Sequence, residues 1–286
     1  MLYERPKTLQ DAVGMLAETR GKAFVLAGGT DLLVRMKSDE FDANLIVDIK
    51  SIEGMSEIVE TDGAFVIGAA VCCAALGEHE ALRDAWPGVV EAANLIGSTQ
   101  IQGRCTIAGN LCNASPAADS VPALVAAGAR AKIVGPDGTR TVDVQEIPLG
   151  PGKTSLKAGE LVQSIDLPKP APRSADAYLR FIPRTEMDIA VVGVAVNLTL
   201  DADGTVASAR VALGAVAPTV VLSEAAAGTL LGTRLEDEAL DALAAACSAA
   251  SNPIDDKRGT IEFRKHVAGV LGRRAARMAY DRAGGA

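Results

Sequence analysis

The apolar positions of the chain fall into runs of two kinds, and their alternation outlines the fold. In PKTLQDAVGMLAET the apolar residues Leu9, Val13 and Leu16 recur at helical spacing, and Thr8 stands where an N-cap belongs. KAFVLAGG is a short continuous apolar run and predicts a buried strand. It breaks at Gly28-Gly29-Thr30-Asp31 and resumes as a short helix, LLVRMKS, followed by a second strand, ANLIVDI. The first 50 or so residues therefore predict helix, strand, helix, strand: a small α/β unit.

Beyond residue 56 the period changes. SEIVETDGAFVIGAA predicts two strands around Asp62-Gly63, a hairpin. Residues 74–97 predict helix broken near Pro87. A Gly-Asn loop, TIAGN, then precedes the helix SVPALVAAG. AKIVGPDGTRTVDV predicts another hairpin, turning at Pro136-Asp137-Gly138, and residues 147–168 add loop and strand. PKPAPRSADA, residues 168–177, has no apolar period and predicts a linker. Past it come three strands, AYLRFIPR, DIAVVGVAVNLTLD and TVASARVALGAVAPTVV, with Asp201, Asp203 and Gly204 turning between the second and third. From residue 223 the pattern is helical, and Val267, Val270, Leu271, Ala275 and Met278 form an inner stripe.

Composition narrows the function. With 286 residues, 49% hydrophobic and only 3% aromatic, Ala, Val and Leu fill the core. A net charge of -8 argues against nucleic-acid or anionic-membrane binding. No apolar run reaches the 18 residues of a membrane span, and the opening MLYERPKTLQDAV predicts no secretory signal. The five cysteines form no CxxC pair and there are two histidines, His79 and His266, so no zinc or iron–sulfur site is expected. An odd cysteine count without a signal predicts a reducing, cytoplasmic setting. Cys72-Cys73 reads as strand packing, and His79 as a solvent-facing helix residue. Residues 255–286 carry eight Lys and Arg against four Asp and Glu, which reads as a solvated helix face.

Chemistry concentrates at two glycine segments, AGGTDLL and TIAGNLCNASPAADSVPALVA. Each can present backbone N–H groups to an anion, so two of them suit a ligand with two phosphates. Thr30, Thr106 and Ser115 add hydroxyls, Asn110 an amide, and Asp119 suits a sugar hydroxyl. The residues alone leave a plain turn and a plain helix start open as readings. No GxGxxG, Walker loop or nucleophile elbow exists, and two histidines support little acid–base chemistry, so a cofactor is expected to carry any hard step.

Together, the two segments resemble the flavin subunit of the molybdenum hydroxylases, the xanthine dehydrogenase family that includes the medium subunit of carbon monoxide dehydrogenase. The opening Tyr3, Pro6, Leu9 and Ala12 and the C-terminal TIEFRKHVAGVLGRRA, with Phe263 where that family carries Tyr, extend the resemblance over nearly the whole chain. It implies an α+β fold. A two-lobed, vanillyl-alcohol-oxidase-like FAD-binding domain would span 1–170, with lobes of about 1–55 and 56–170. A small antiparallel sheet with a helix bundle would follow over 176–286. It implies non-covalent FAD held by Ala27, Gly28, Gly29, Thr30, Asp31 and Leu32, by Thr106, Ala108, Gly109, Asn110 and Ser115, with Asp119 at sugar or ribityl hydroxyls, Val162 at the adenine side, and Arg180 and Ile189 near the flavin ring. It implies partners: an iron–sulfur small subunit with 2Fe-2S clusters and a large subunit with the molybdenum cofactor, as a dimer of heterotrimers. Electrons would reach NAD, a quinone or oxygen. Rival readings are a stand-alone FAD-dependent oxidase or reductase and a flavin-free scaffold of the same fold.

Overall fold

The computed structural model describes residues 1–38, 41–184 and 187–284. The chain opens with β1 (Leu2–Glu4), α1 (Leu9–Glu18), β2 (Ala23–Leu26), α2 (Leu32–Arg35) and β3 (Leu45–Asp48). Thr8 caps α1 by accepting from the Asp11 N–H. The three strands make a parallel sheet in the order β1-β3-β2. β1 escaped the sequence pattern: it has three residues, all exposed, and carries no alternation. β2 is half-buried rather than buried, because Ala23, Phe24 and Val25 face a cavity.

Next come β4 (Ile58–Glu60) and β5 (Ala64–Gly68), then α3 (Cys73–Glu78), α4 (Glu80–Ala85), α5 (Pro87–Asn94) and α6 (Thr99–Gln102). The predicted helix over 74–97 is thus three pieces. Pro87 starts α5, as expected, but a second break falls at His79. Its Nδ1 accepts from the Leu82 N–H and caps α4, and its ring lies edge-on to Phe65 at 6.0 Å. The solvent-facing reading of His79 is corrected accordingly. Cys72 and Cys73 lie at the start of α3, not on a strand.

The TIAGN segment is a helix start rather than a loop: α7 spans Ile107–Cys112 and α8 Ser120–Ala126. β6 (Arg130–Gly135), β7 (Gly138–Asp143), β8 (Pro148–Gly150), β9 (Lys153–Thr154) and β10 (Leu161–Pro168) follow. The order β4-β5-β10-β6-β7 forms an antiparallel sheet.

The predicted linker is shorter than its composition suggests. β10 runs to Pro168 and β11 (Ser174–Phe181) begins within SADA. With β12 (Val192–Leu200), β13 (Val206–Gly214) and β14 (Val221–Leu222) it makes a second antiparallel sheet. Three helices close the chain: α9 (Glu224–Gly228), α10 (Asp237–Ala250) and α11 (Ile261–Arg282). On this sheet the alternation of strand side chains separates two packing faces. Val194, Val196, Leu198, Val211 and Leu213 meet α10 and α11, while the smaller Ala195 and Ala212 turn toward the core beneath α5 and α8.

The basic C-terminal face is not merely solvated. Arg264 is buried and donates to the carbonyls of Val191 and Ala215 and to Asp256. Arg277 pairs with Asp237, Arg273 with Asp241, and Arg282 with Glu91. Val267, Leu271 and Ala275 are buried as the stripe predicts, with Val270 and Met278 half-buried.

One buried carboxylate ties the halves together. Asp176 on β11 accepts from the Gly88 and Val89 N–H groups at the start of α5, at 2.9 and 2.8 Å. A Cβ on Gly88 would stand 2.6 Å from its Oδ2, so the glycine permits the approach. Burial pushes the Asp176 carboxyl up to about 7, against the pull of those two N–H groups and Arg282. A carboxyl whose folded pKa exceeds its unfolded one stabilises the fold when protonated. This contribution is complete below the ordinary value of 3.8 and is lost as pH rises through about 7. Asp176→Ala is expected to cost about 2–4 kcal/mol by leaving two buried donors unpaired, measured by urea unfolding. The stability advantage of the wild type over Asp176→Asn should grow as pH falls from about 8 to about 4; a pH-independent gap would refute this assignment.

Candidate functional site

A cavity of about 570 Å³ opens between β2, α2, α7 and the strand β10. Its floor is built by the turn after β2. Gly29 has φ of +80°, a backbone region that suits glycine. Gly28 lies so close to the segment leading into α7 that an added Cβ would sit 2.1 Å from the Arg104 carbonyl oxygen and 3.0 Å from the Cys105 Cα. The turn therefore rests directly on bare backbone. Among the described residues, no group accepts from the N–H groups of Gly29, Thr30, Asp31 or Leu32. An unbroken row of unpaired donors beside a cavity is an anion cradle.

A relay of polar groups fixes this turn from behind. The Tyr3 hydroxyl donates to Asp48 at 2.6 Å, Asp48 pairs with Lys50 at 2.7 Å, and Lys50 Nζ donates to the Ala27 carbonyl at 3.0 Å. Burial by itself would raise the Asp48 carboxyl, but hydrogen bonds from Lys50 and Tyr3 outweigh it and hold the group below its ordinary value. Sequence reasoning missed Asp48 and Lys50. The one available signal was a polar residue ending the apolar run LIVD.

The second wall is the first turn of α7. Thr106 caps it, its Oγ1 accepting from the Gly109 N–H at 2.9 Å. The Ile107 and Ala108 N–H groups have no acceptor among the described residues. Ala108 is helical with negative φ, so its methyl is accommodated. Asn110 Oδ1 accepts from the Ser120 N–H and hydroxyl at 3.2 and 2.7 Å, which leaves the amide hydrogens free beside the cavity.

Ala27, Gly28, Gly29, Thr30, Asp31, Leu32, Thr106, Ala108, Gly109, Asn110 and Val162 all line this cavity. Ser115 and Ile189 do not. They line a second cavity of about 470 Å³, with Pro116, Ala215, Asn252 and Arg258. Asp119 and Arg180 line neither and hold each other. Arg180 donates to Oδ2 of Asp119 at 2.7 Å, and the Tyr178 hydroxyl to Oδ1 at 3.2 Å. Burial pushes the Asp119 carboxyl up to about 6 despite these partners. Tyr178 has no sequence signal, being one apolar-facing residue of a strand. The segment 106–119 thus serves both cavities: α7 walls the first and residues 115–117 the second.

This arrangement can hold an extended ligand with a doubly charged centre by backbone amides and hydroxyls. Among the described residues no group of His, Cys, Asp and Glu side chains is arranged to hold a metal ion. No helix among them is long and apolar enough to cross a membrane.

Comparison with known proteins agrees with the geometry. Residues 1–170 match the FAD binding domain in molybdopterin dehydrogenase, and residues 177–279 the CO dehydrogenase flavoprotein C-terminal domain. The carbon monoxide dehydrogenase medium chain of Afipia carboxidovorans is 34% identical, the match covering 98% of this chain and 97% of that one. The putative xanthine dehydrogenase FAD-binding subunit of Escherichia coli K12 is 31% identical over 99% of this chain and 97% of its own. Among solved structures, the carbon monoxide dehydrogenase of Hydrogenophaga pseudoflava that lacks the Mo-pyranopterin moiety superposes with a TM-score of 0.93 at 34% identity, covering 98% of this chain and 97% of that one. The chain belongs to the family of FAD-binding subunits of the molybdopterin dehydrogenases.

Proposed function

We propose that the chain is the FAD-carrying electron-transfer subunit of a heteromeric molybdenum hydroxylase. The observation that carries this reading is the row of unpaired N–H groups from Gly29 to Leu32 facing the α7 N-terminus across one cavity. When bound, FAD supplies two-electron redox chemistry and the ability to exchange electrons singly with an iron–sulfur cluster.

The chain's own residues bind and orient. Ala27, Gly28, Gly29, Thr30, Asp31 and Leu32 receive the pyrophosphate, helped by Thr106, Ala108, Gly109 and Asn110. Val162 packs at the adenine side. Ser115 and Ile189, in the second cavity, and Arg180, locked by Asp119, belong to the flavin end. Asp119 keeps Arg180 in place and retains lone pairs for a ribityl hydroxyl. Domain limits of 1–170 and 176–286 fit this division, since the loops fall in the first and Arg180 and Ile189 in the second.

The partners proposed are a small subunit with 2Fe-2S clusters and a large subunit with the molybdenum cofactor, as a dimer of heterotrimers in the cytoplasm. The medium-chain relatives and the five free cysteines favour this reading. The external acceptor would be NAD, a quinone or oxygen.

Gly29→Val is expected to weaken FAD binding at least about a hundredfold, roughly 2.7 kcal/mol, because a branched side chain at this left-handed φ would press on the Leu26 and Leu33 side chains and force the donor turn out of shape. Flavin absorbance of the purified full chain reads this directly. The wild-type chain alone should be yellow yet inert toward carbon monoxide, aldehydes and purines. Turnover of any of these without partner subunits would favour a stand-alone oxidase, and a colourless chain a scaffold.

Arg180→Met should destabilise the chain by about 3–5 kcal/mol, since it strands the buried Asp119 carboxylate. Adding Asp119→Asn should recover most of that loss in urea unfolding. Additive losses in the double variant would show that the two side chains act independently.

A further inference from the structure

Three thiols, Cys72, Cys73 and Cys105, gather behind the cavity wall and take no part in the proposed binding of FAD. Cys105 is buried and lines the cavity, immediately before the Thr106 cap. Cys73, the first residue of α3, is fully buried behind it. The Cys73 N–H donates to the Cys105 carbonyl at 2.8 Å. That bond joins the two backbones directly, and the Cys73 thiol lies beside the Cys105 thiol, as a disulfide between them requires. Both thiols are free. Cys105 is held below its ordinary range chiefly by the Cys73 thiol beside it, whereas Cys112, also at the cavity, is pushed up to about 12 by burial. Cys105 lines the cavity and Cys73 does not, so Cys105 is the thiol of this pair that a peroxide entering the cavity meets first. Cys72 is its neighbour's adjacent residue, and a vicinal bridge between Cys72 and Cys73 would be strained.

We propose that Cys73 and Cys105 are a peroxide-sensitive modification site, a disulfide formed only when the cavity is open, whose formation weakens FAD binding. The inference rests on the FAD reading for its consequence, not for the bond itself. The Cys105 sulfur attacks hydrogen peroxide; the O–O bond breaks, leaving a sulfenic acid and releasing one water. The Cys73 sulfur then attacks the Cys105 sulfur, the S–O bond breaks, and a second water leaves with the remaining thiol proton. Two thiols are oxidised and one peroxide is reduced. The link to FAD is mechanical. Gly28 lies on the Arg104–Cys105 backbone with no room to spare, so drawing Cys105 toward α3 moves the floor of the cradle.

The test treats the full-length chain with hydrogen peroxide, once stripped of FAD and once loaded. Intact mass and peptide mapping should show the stripped chain losing two hydrogens to a Cys73–Cys105 crosslink that dithiothreitol reverses. The loaded chain should react about tenfold more slowly, and the crosslinked chain should bind FAD about tenfold more weakly until reduced. Cys73→Ser should stop at the Cys105 sulfenic acid, trapped by dimedone. Sulfinic acid at Cys105 without a crosslink, a crosslink through another cysteine, equal rates with and without FAD, or unchanged FAD affinity after crosslinking would each overturn the proposal. A chain that crosslinks as described but never binds FAD would instead overturn the cofactor assignment.

Discussion

The contact on which the site depends is the approach of Gly28 to the Arg104–Cys105 backbone. Two segments far apart in sequence meet there with no side chain between them. That closeness places the donors after β2 and those at the start of α7 on facing walls of one cavity, where an anion can be met from two sides at once. A single methyl group at position 28 would occupy the space of the Arg104 carbonyl oxygen, and the walls would part. Everything else near the cavity either holds this contact or uses it.

The groups that hold it come from opposite ends of the first domain. Tyr3, Asp48 and Lys50 run as a chain of hydrogen bonds from β1 through β3 to the Ala27 carbonyl. The parallel pairing of β1 and β2 on either side of β3 sets that chain's register. On the far side, Thr106 fixes the first turn of α7 and Asn110 anchors α7 to α8 through Ser120. The unpaired donors are thus flanked by side chains that are themselves held in hydrogen bonds, which supports a rigid binding site.

Much of this was legible in the residues and some was not. Helices with a clean period, such as α1, α10 and α11, followed from the apolar pattern because each buries one face, and β12 followed from a continuous apolar run because it is packed on both. The cavity residues were legible as motif, since Gly-Gly and Gly-Asn at helix starts announce exposed amides. The failures share a cause: each depends on a partner distant in sequence. β1 and β14 are two or three residues long and exist only because a longer strand pairs with them. His79 ends one helix and begins another through its own Nδ1, a role periodicity does not encode. Asp176 looked like part of a linker because its two acceptor contacts lie on α5. The reading of Asp119 as a ligand contact left out its partners Arg180 and Tyr178 on β11, which no local pattern places beside it.

That last pairing explains why the second domain matters to a site whose cradle lies in the first. α8 is gripped at both ends by the antiparallel sheet of the second. At its start Asp119 is held by Arg180 and Tyr178, and at its end the Val125 and Ala126 carbonyls accept from Arg210 and Asn197. Cations and amides at a helix C-terminus satisfy carbonyls that the helix leaves open, and they suit its dipole. With α8 clamped in this way, the connection from α7 has little freedom, and residues 115–117 are set as the wall of the second cavity while Thr106 to Asn110 remain the wall of the first. The sheet therefore acts on the first cavity without touching its cradle. It fixes α8, α8 fixes Asn110 through Ser120, and Asn110 belongs to the wall that faces the glycine turn.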